Sequence, residues 1–386
     1  MPTRLPGAPE VTIPAGLPAG TAPANAGSRY ATAVTSWERI AGLPVRIEGY
    51  GFQRLAQEVS NGFQRVTTVV RLFGDGEEGV GEDVTYTAED HDALHVWGVR
   101  LPLNGRHTLE SFSKLLGGID LFPTPPTMAA AIDYRRWAFK SAALDLALRQ
   151  QGRPLHEALR RTPGPVRFVV SRRLGDPPVA DPVTSLLAVD PELRFKLDPT
   201  SSWDAALCAA LAALDAVEVL DLKGAYRGTA VDQPPDAALY ARVLAAFPDA
   251  WLEDPALTPA TVPLLEPHAA RVTWDAVIHS VADLAALRWA PRALNVKPSR
   301  FGTLERLLDF YYRCDRDGIA LYGGGQFELG PGRGQIQYLA SLYHPESGND
   351  VAPVGYNAVE PSAGLARSPL PPAPAETGFR WGPGAR

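Results

Sequence analysis

The chain has 386 residues, with 37 Lys and Arg against 43 Asp and Glu for a formal net charge of −6, a balance that argues against a dedicated nucleic-acid binder. With 45% hydrophobic and 9% aromatic residues it can bury a sizeable core, so disorder throughout is excluded. Its longest unbroken apolar stretch, residues 205–214, is half of what a bilayer crossing needs, and Cys208 and Cys314 are too few for a cysteine-based metal site, so an unexported chain of the reducing cytoplasm without membrane contact is expected.

Six of the 37 prolines fall in residues 1–25 and six more in 361–386, which reads as extended arms at both ends. Residues 36–100 carry a β-type run from Val66 to Leu72, the turn Gly74-Asp75-Gly76 and a second extended run from Val80 to Tyr86, the pattern of a small antiparallel sheet. In residues 102–160 the period changes. Trp137, Ser141, Leu144 and Leu148 share one helical face, and Gly152-Arg153-Pro154 supplies a stop. From about residue 165, short β-rich runs alternate with helical ones. The expected strands are Arg167–Val170, Leu193–Leu197, Val217–Asp221, Ala250–Glu253, Arg271–Asp275, Ala293–Lys297 and Gly318–Tyr322, with a clear helix at Ser202–Leu214. Such alternation predicts a parallel α/β barrel, because the competing doubly wound sheet lacks its opening strand–GxGxxG–helix. The expected division is an arm over 1–35, an α+β domain over 36–160, the barrel over 161–345 and a Pro-rich segment over 346–386 that returns to the first domain.

Five successive strands end in an ionisable residue: Lys196, Asp221, Glu253, Asp275 and Lys297, at intervals of 25, 32, 22 and 22 residues. In a closed parallel barrel these ends converge on one mouth, although the residues are far apart in sequence. Three carboxylates from separate strands suit a hard divalent cation such as Mg²⁺. Lysines beside that charge are expected to lean toward the neutral form that a general base needs. Taken singly, such residues are more often caps or ion-pair partners, and it is their register that points to a site. Trp274 reads as packing, His279 as a surface loop residue, and His91 with His95 as an exposed, turn-rich loop rather than a ligand pair.

At these residues the sequence resembles the enolase superfamily. Arg194-Phe195-Lys196 stands where that family has Lys-x-Lys, Asp221-Leu222-Lys223 where it has Asp-x-Asn, and Glu253-Asp254-Pro255 where it has Glu-Asp-Pro. Trp274-Asp275 matches the third metal carboxylate, Asn295-Val296-Lys297-Pro298 the sixth-strand lysine, and Gly324-Gly325-Gln326-Phe327-Glu328 the end of the seventh strand. Gly79-Val80-Gly81-Glu82 and Ala142–Ala147 look like the family's hairpin and domain-joining helix, so the resemblance spans roughly residues 35–345.

The resemblance implies a modified (β/α) TIM-like barrel under an α+β N-terminal capping domain. It implies Asp221, Glu253 and Asp275 on Mg²⁺ or Mn²⁺, and Lys196 and Lys297 as catalytic bases, the pairing of the muconate-lactonizing branch. Arg194, Lys223 and Glu328 are expected to bind substrate. The implied reaction is removal of a proton alpha to a carboxylate through an enediolate, as in a cycloisomerase, o-succinylbenzoate synthase, epimerase or dehydratase. The expected partners are a small carboxylate and further copies of the chain, with no nucleic acid. Lys223, in place of asparagine, has two readings: it pairs with Asp221 or Glu253 and substitutes for metal charge, or it turns into solvent. With Arg194 it also supports an alternative, an enolase-type fold that has lost metal-assisted catalysis and serves as a binding or scaffold protein.

Overall fold

The computed structural model describes residues 34–58, 64–97, 100–226, 232–358 and 364–382, so nearly all of the proline-rich arm expected at 1–35 lies outside the described residues. Strands β1 (Pro44–Ile47), β2 (Gly49–Glu58), β3 (Gln64–Gly74), β4 (Glu77–Asp83) and β5 (Gly105–Thr108) open the chain. β2, β3 and β4 form an antiparallel sheet, and β1 pairs with β5. The β3–β4 hairpin turns on Asp75 and Gly76, both at positive φ (51° and 77°), the backbone that a two-residue turn of the hairpin hand requires and that Asp-Gly supplies at little cost.

The helix Ala131–Gln150 lies across this sheet, and Trp137, Ser141, Leu144 and Leu148 are all buried, as their spacing predicts. It approaches β4 very closely. A Cβ on Gly79 would stand 2.2 Å from the Ala142 carbonyl oxygen, and one on Gly81 would stand 2.1 Å from that of Ala138, so only glycine fits either position. His91 departs from expectation: it belongs to a helix, Ala88–Val96, and is fully buried. Its Nδ1 lies 2.9 Å from Thr68 Oγ1 and its Nε2 2.9 Å from the Thr85 carbonyl. The acidic stretch around it supplies the first turn of that helix, where negative charge is favoured.

Seven parallel strands follow. β6 (Val170–Arg172), β7 (Phe195–Leu197), β8 (Val217–Asp221), β9 (Trp251–Glu253) and β10 (Val272–Thr273) pair in chain order, and β11 (Ala293–Val296) pairs with β12 (Ala320–Gly323). Backbone hydrogen bonds join the two sheets into a ring. The Asn295 amide donates to the Trp274 carbonyl at 3.0 Å, Asp350 to Gly323 at 2.7 Å, and Val169 to Asn349 at 2.9 Å. Asn349-Asp350 is thus an eighth stave of two residues, between β12 and the start of β6. The expected helix at Ser202–Leu214 runs from Ala205 to Ala212, with the Asp204 carboxylate accepting from the Leu207 amide as its cap. No helix among the described residues is long and apolar enough to cross a membrane.

Candidate active site and metal centre

The strand ends deliver their charges to one place. Asp221 ends β8 and Glu253 ends β9, opposite each other in the ladder, and both are fully buried. Lys196, on β7, sits beneath them at 1% exposure. Its Nζ contacts Glu253 Oε1 and lies 3.1 Å from Asp221 Oδ2 and 3.5 Å from Asp350 Oδ2. Burial alone would strip its proton, but Glu253, Asp221 and Asp350 outweigh burial and hold its pKa well above the ordinary lysine value. Carboxylates therefore set the proton affinity of Lys196 in this arrangement.

Glu253 is held by three donors. Besides Lys196, Tyr322 Oη donates to its Oε2 at 2.6 Å and Asn295 Nδ2 reaches both oxygens at 3.3 and 3.4 Å. Burial, with Asp221, Asp275 and Asp254 nearby, pushes it up to about 8 against the pull of Lys196. Asp254 follows with φ +46°, a left-handed backbone that carries its carboxylate back to the strand ends, where it accepts from the Asp275 amide at 2.9 Å and the Ala276 amide at 2.8 Å. Burial and the charges of Asp275 and Asp221 push it up to about 6.

Lys223 folds back in the same way, with φ +54° two residues after the end of β8. Its amide donates to Asp221 Oδ1 at 3.2 Å, its ammonium to Asp221 Oδ2 at 2.5 Å, and the ammonium lies 3.5 Å from Asp198 Oδ1. The ammonium thus pairs with Asp221 instead of turning into solvent. Burial would raise Asp221, but Lys223 and Lys196 outweigh it and hold the carboxyl far below the usual range.

Across the mouth, Lys297 Nζ lies 2.9 Å from Asp275 Oδ2, Arg300 Nη1 donates to Asp275 Oδ1 at 2.7 Å, and Tyr226 Oη donates to Asp275 Oδ2 at 3.0 Å while accepting from Arg300 Nη2 at 2.9 Å. Asp275 is buried, yet Arg300 and Lys297 keep it ionised well below the usual carboxylate range.

One group among the described residues has the geometry to hold a metal ion: Asp221, Glu253 and Asp254, all buried, with one oxygen from each lying within 4.8 Å of the others. Asp275, the third carboxylate expected there, has both oxygens engaged by Lys297, Arg300 and Tyr226. Three carboxylate oxygens so close together match the donor chemistry of a hard divalent cation, so the residues fit such an ion.

Residues 38–158 match the N-terminal domain, and residues 162–358 the C-terminal domain, of the family described as Domain of unknown function (DUF8230). The chain belongs to the DUF8230 family. This DUF8230 chain is 27% identical, over 318 residues, to an N-succinylamino acid racemase of Thermus thermophilus, covering 74% of the chain and 78% of the relative. Its fold is that of the enolase superfamily. A superfamily member from Listeria innocua superposes with a TM-score of 0.60 at 17% identity, covering 82% of this chain and 88% of that one. Muconate lactonizing enzyme from Pseudomonas putida does so with 0.57 at 19% identity, covering 79% and 88%.

Of the residues singled out in the DUF8230 sequence, Lys196, Asp221, Lys223, Glu253, Asp275 and Lys297 come together. Arg194 does not. β7 begins one residue after Arg194, whose Nη1 donates back to the carbonyls of Glu192 and Leu193 at 3.3 and 3.0 Å, below the barrel mouth. Glu328 accepts from the Gln326 amide at 2.7 Å and lies by Arg333 and Glu82, where the capping domain meets the barrel. His279 is half-buried rather than on the open surface. Sequence reasoning missed Asp198, Tyr226, Asp254, Asn295 as a ligand of Glu253, Arg300, Tyr322 and Asp350. Asp254 and Asn295 stand inside quoted motifs, Glu253-Asp254-Pro255 and Asn295-Val296-Lys297-Pro298, but nothing in those motifs gives their contacts.

Proposed function

We propose that the chain is an isomerase or lyase that exchanges a proton at the carbon alpha to a carboxylate of a small substrate, with Lys297 as the proton-transferring group. The observation that carries this reading is the pairing of two lysines of different accessibility on one acidic cluster. Lys297, at 8% exposure, stands at the rim, and Lys196 is sealed beneath. The substrate's alpha proton passes to or from Lys297 Nζ. Asp275 fixes the position of that nitrogen, which accepts the proton as the amine and returns it as the ammonium, and Arg300 and Tyr226 fix Asp275. Lys196 stays charged and supplies positive potential under the reacting carboxylate, a fixed charge that needs no reorganisation during the reaction. Asp221, Glu253 and Asp254 are the residues that would hold Mg²⁺ or Mn²⁺, and such an ion would stabilise negative charge developing on the substrate carboxylate.

The likeness to an N-succinylamino acid racemase supports N-acylated amino acids as the first substrates to try. The chain is incubated with N-succinyl amino acids and Mg²⁺ in D₂O, and the alpha-proton signal is followed by NMR. Loss of that signal with the wild type and its retention with Lys297→Ala is expected; exchange that persists in a folded Lys297→Ala chain removes Lys297 from the reaction. The second reading, a binding protein without metal-assisted catalysis, is favoured by the Lys223 ammonium on Asp221 and predicts no exchange on any carboxylate.

A further inference from the structure

Lys223 brings a positive charge to an oxygen of the metal-binding group, and a second acceptor stands beside it. Asp198, two residues after Lys196, is half-buried, with its side chain 14% exposed. Its Oδ1 has no hydrogen-bond partner and faces the Lys223 ammonium at 3.5 Å, about 1 Å farther than Asp221 Oδ2 at 2.5 Å. The ring of Tyr226, its centroid 5.2 Å from the ammonium, covers the same side. The left-handed turn at Lys223 ties the side chain to this corner, so rotation of its terminal bonds carries the ammonium from one carboxylate to the other without leaving the site.

We infer that Lys223 is a tethered competitor for the divalent ion, seated on Asp221 when the ion is absent and shifted onto Asp198 when the ion binds. The inference rests on the proposed ion site at Asp221, Glu253 and Asp254. Two cations sharing one carboxylate oxygen repel strongly in a poorly solvated site, and the repulsion falls as they separate. Asp198 is the acceptor that makes separation feasible, because an ammonium leaving Asp221 with no other partner would be left buried and unpaired. The ammonium thereby keeps a carboxylate partner with or without the ion. Its affinity for the ion is set by the difference between the two seats of one lysine.

The test uses the full chain as wild type, Lys223→Met, Asp198→Asn and the double variant, each titrated with Mg²⁺ and with Mn²⁺ by calorimetry, with the shift of the unfolding midpoint as a second readout. Near-UV circular dichroism checks folding, and Lys223→Gln replaces Lys223→Met if that variant does not fold. Lys223→Met should bind at least about tenfold more tightly than wild type. Asp198→Asn should bind more weakly than wild type, and that loss should vanish in the double variant, since without the ammonium there is nothing to reseat. Wild-type affinity in Lys223→Met, or an Asp198→Asn loss that is absent or persists undiminished in the double variant, overturns the inference. If none of the four proteins binds either ion, the ion site itself is wrong and the inference falls with it, whereas equal binding by all of them leaves the ion site standing and overturns only the role of Lys223.

Discussion

Lys196 and Lys297, at the first and last of the five charged strand ends, differ in what surrounds them. Lys196 is enclosed by three carboxylates, while Lys297 meets one, which already shares its charge with Arg300. A buried histidine shows the same dependence on surroundings. His344 donates from Nδ1 to Asn349 Oδ1 at 2.6 Å, with Tyr311 Oη 3.4 Å from its Nε2, an arrangement of the neutral ring, and burial depresses its pKa to about 4. Unfolded, the ring takes a proton near 6.5, so the unfolded chain binds more protons between about 6.5 and 4, and stability present above that window is lost as pH falls through it. The loss amounts to roughly 3 kcal/mol. His344→Gln should flatten it, and urea unfolding at pH 7.5 and 4.5 measures the difference; an equally steep acid decline in the variant would acquit His344. At this scale the sequence announced the strand-end residues well, because register alone places them. It hid Asp254, since alternation along a strand sends the residue after Glu253 outward and only the positive φ brings it back. It hid Arg300 and Tyr226 because they come from segments beyond the strand ends whose paths no periodicity dictates.

At the scale of elements, the helix Ala131–Gln150 and most of the parallel strands were legible from period and spacing, whereas the eighth stave was not. Two residues, Asn349-Asp350, are too few to show any pattern, and only the ring around them makes them a strand position. The helix and β4 meet through glycine. Gly79→Ala would set a Cβ 2.2 Å from one backbone atom of the helix and 2.4 Å from another, the Ala142 carbonyl oxygen and the Leu146 amide nitrogen, so the whole helix must shift rather than one side chain. The expected cost is about 2–3 kcal/mol. Gly42→Ala, with nothing within 4 Å of the new atom, serves as the control and should leave the urea midpoint where it was. A Gly79→Ala midpoint equal to that of the control would mean the helix rides farther from the sheet than described.

At the scale of the molecule, buried ion pairs and backbone acceptors tie the first domain to the barrel and to the chain's C-terminal segment. Glu82 accepts from the amides of Leu329, Gly330 and Gly332, and Arg65 donates to the carbonyls of Val84, Thr85 and Gln326. Asp145, on the long helix, accepts from the Val80 amide at 2.9 Å, the Phe379 amide at 2.7 Å and Arg380 Nε at 2.9 Å. Asp145→Ala leaves two amides and a guanidinium without their acceptor and should lower stability by about 3–5 kcal/mol, read from denaturant unfolding; a loss under about 1 kcal/mol would mean that the C-terminal segment is held by its apolar contacts alone. The two-residue stave has a consequence of its own. Asp350 lies beside Lys196, while Asn349, through Gly323 and His344, anchors the opposite side of the same seam. A pocket of about 90 Å³ opens next to it, bordered by Ser347, Gly348 and the Tyr322 that grips Glu253. Tyr322 is therefore shared between that pocket and the carboxylate cluster, so a change in its packing on the pocket side reaches Glu253 directly.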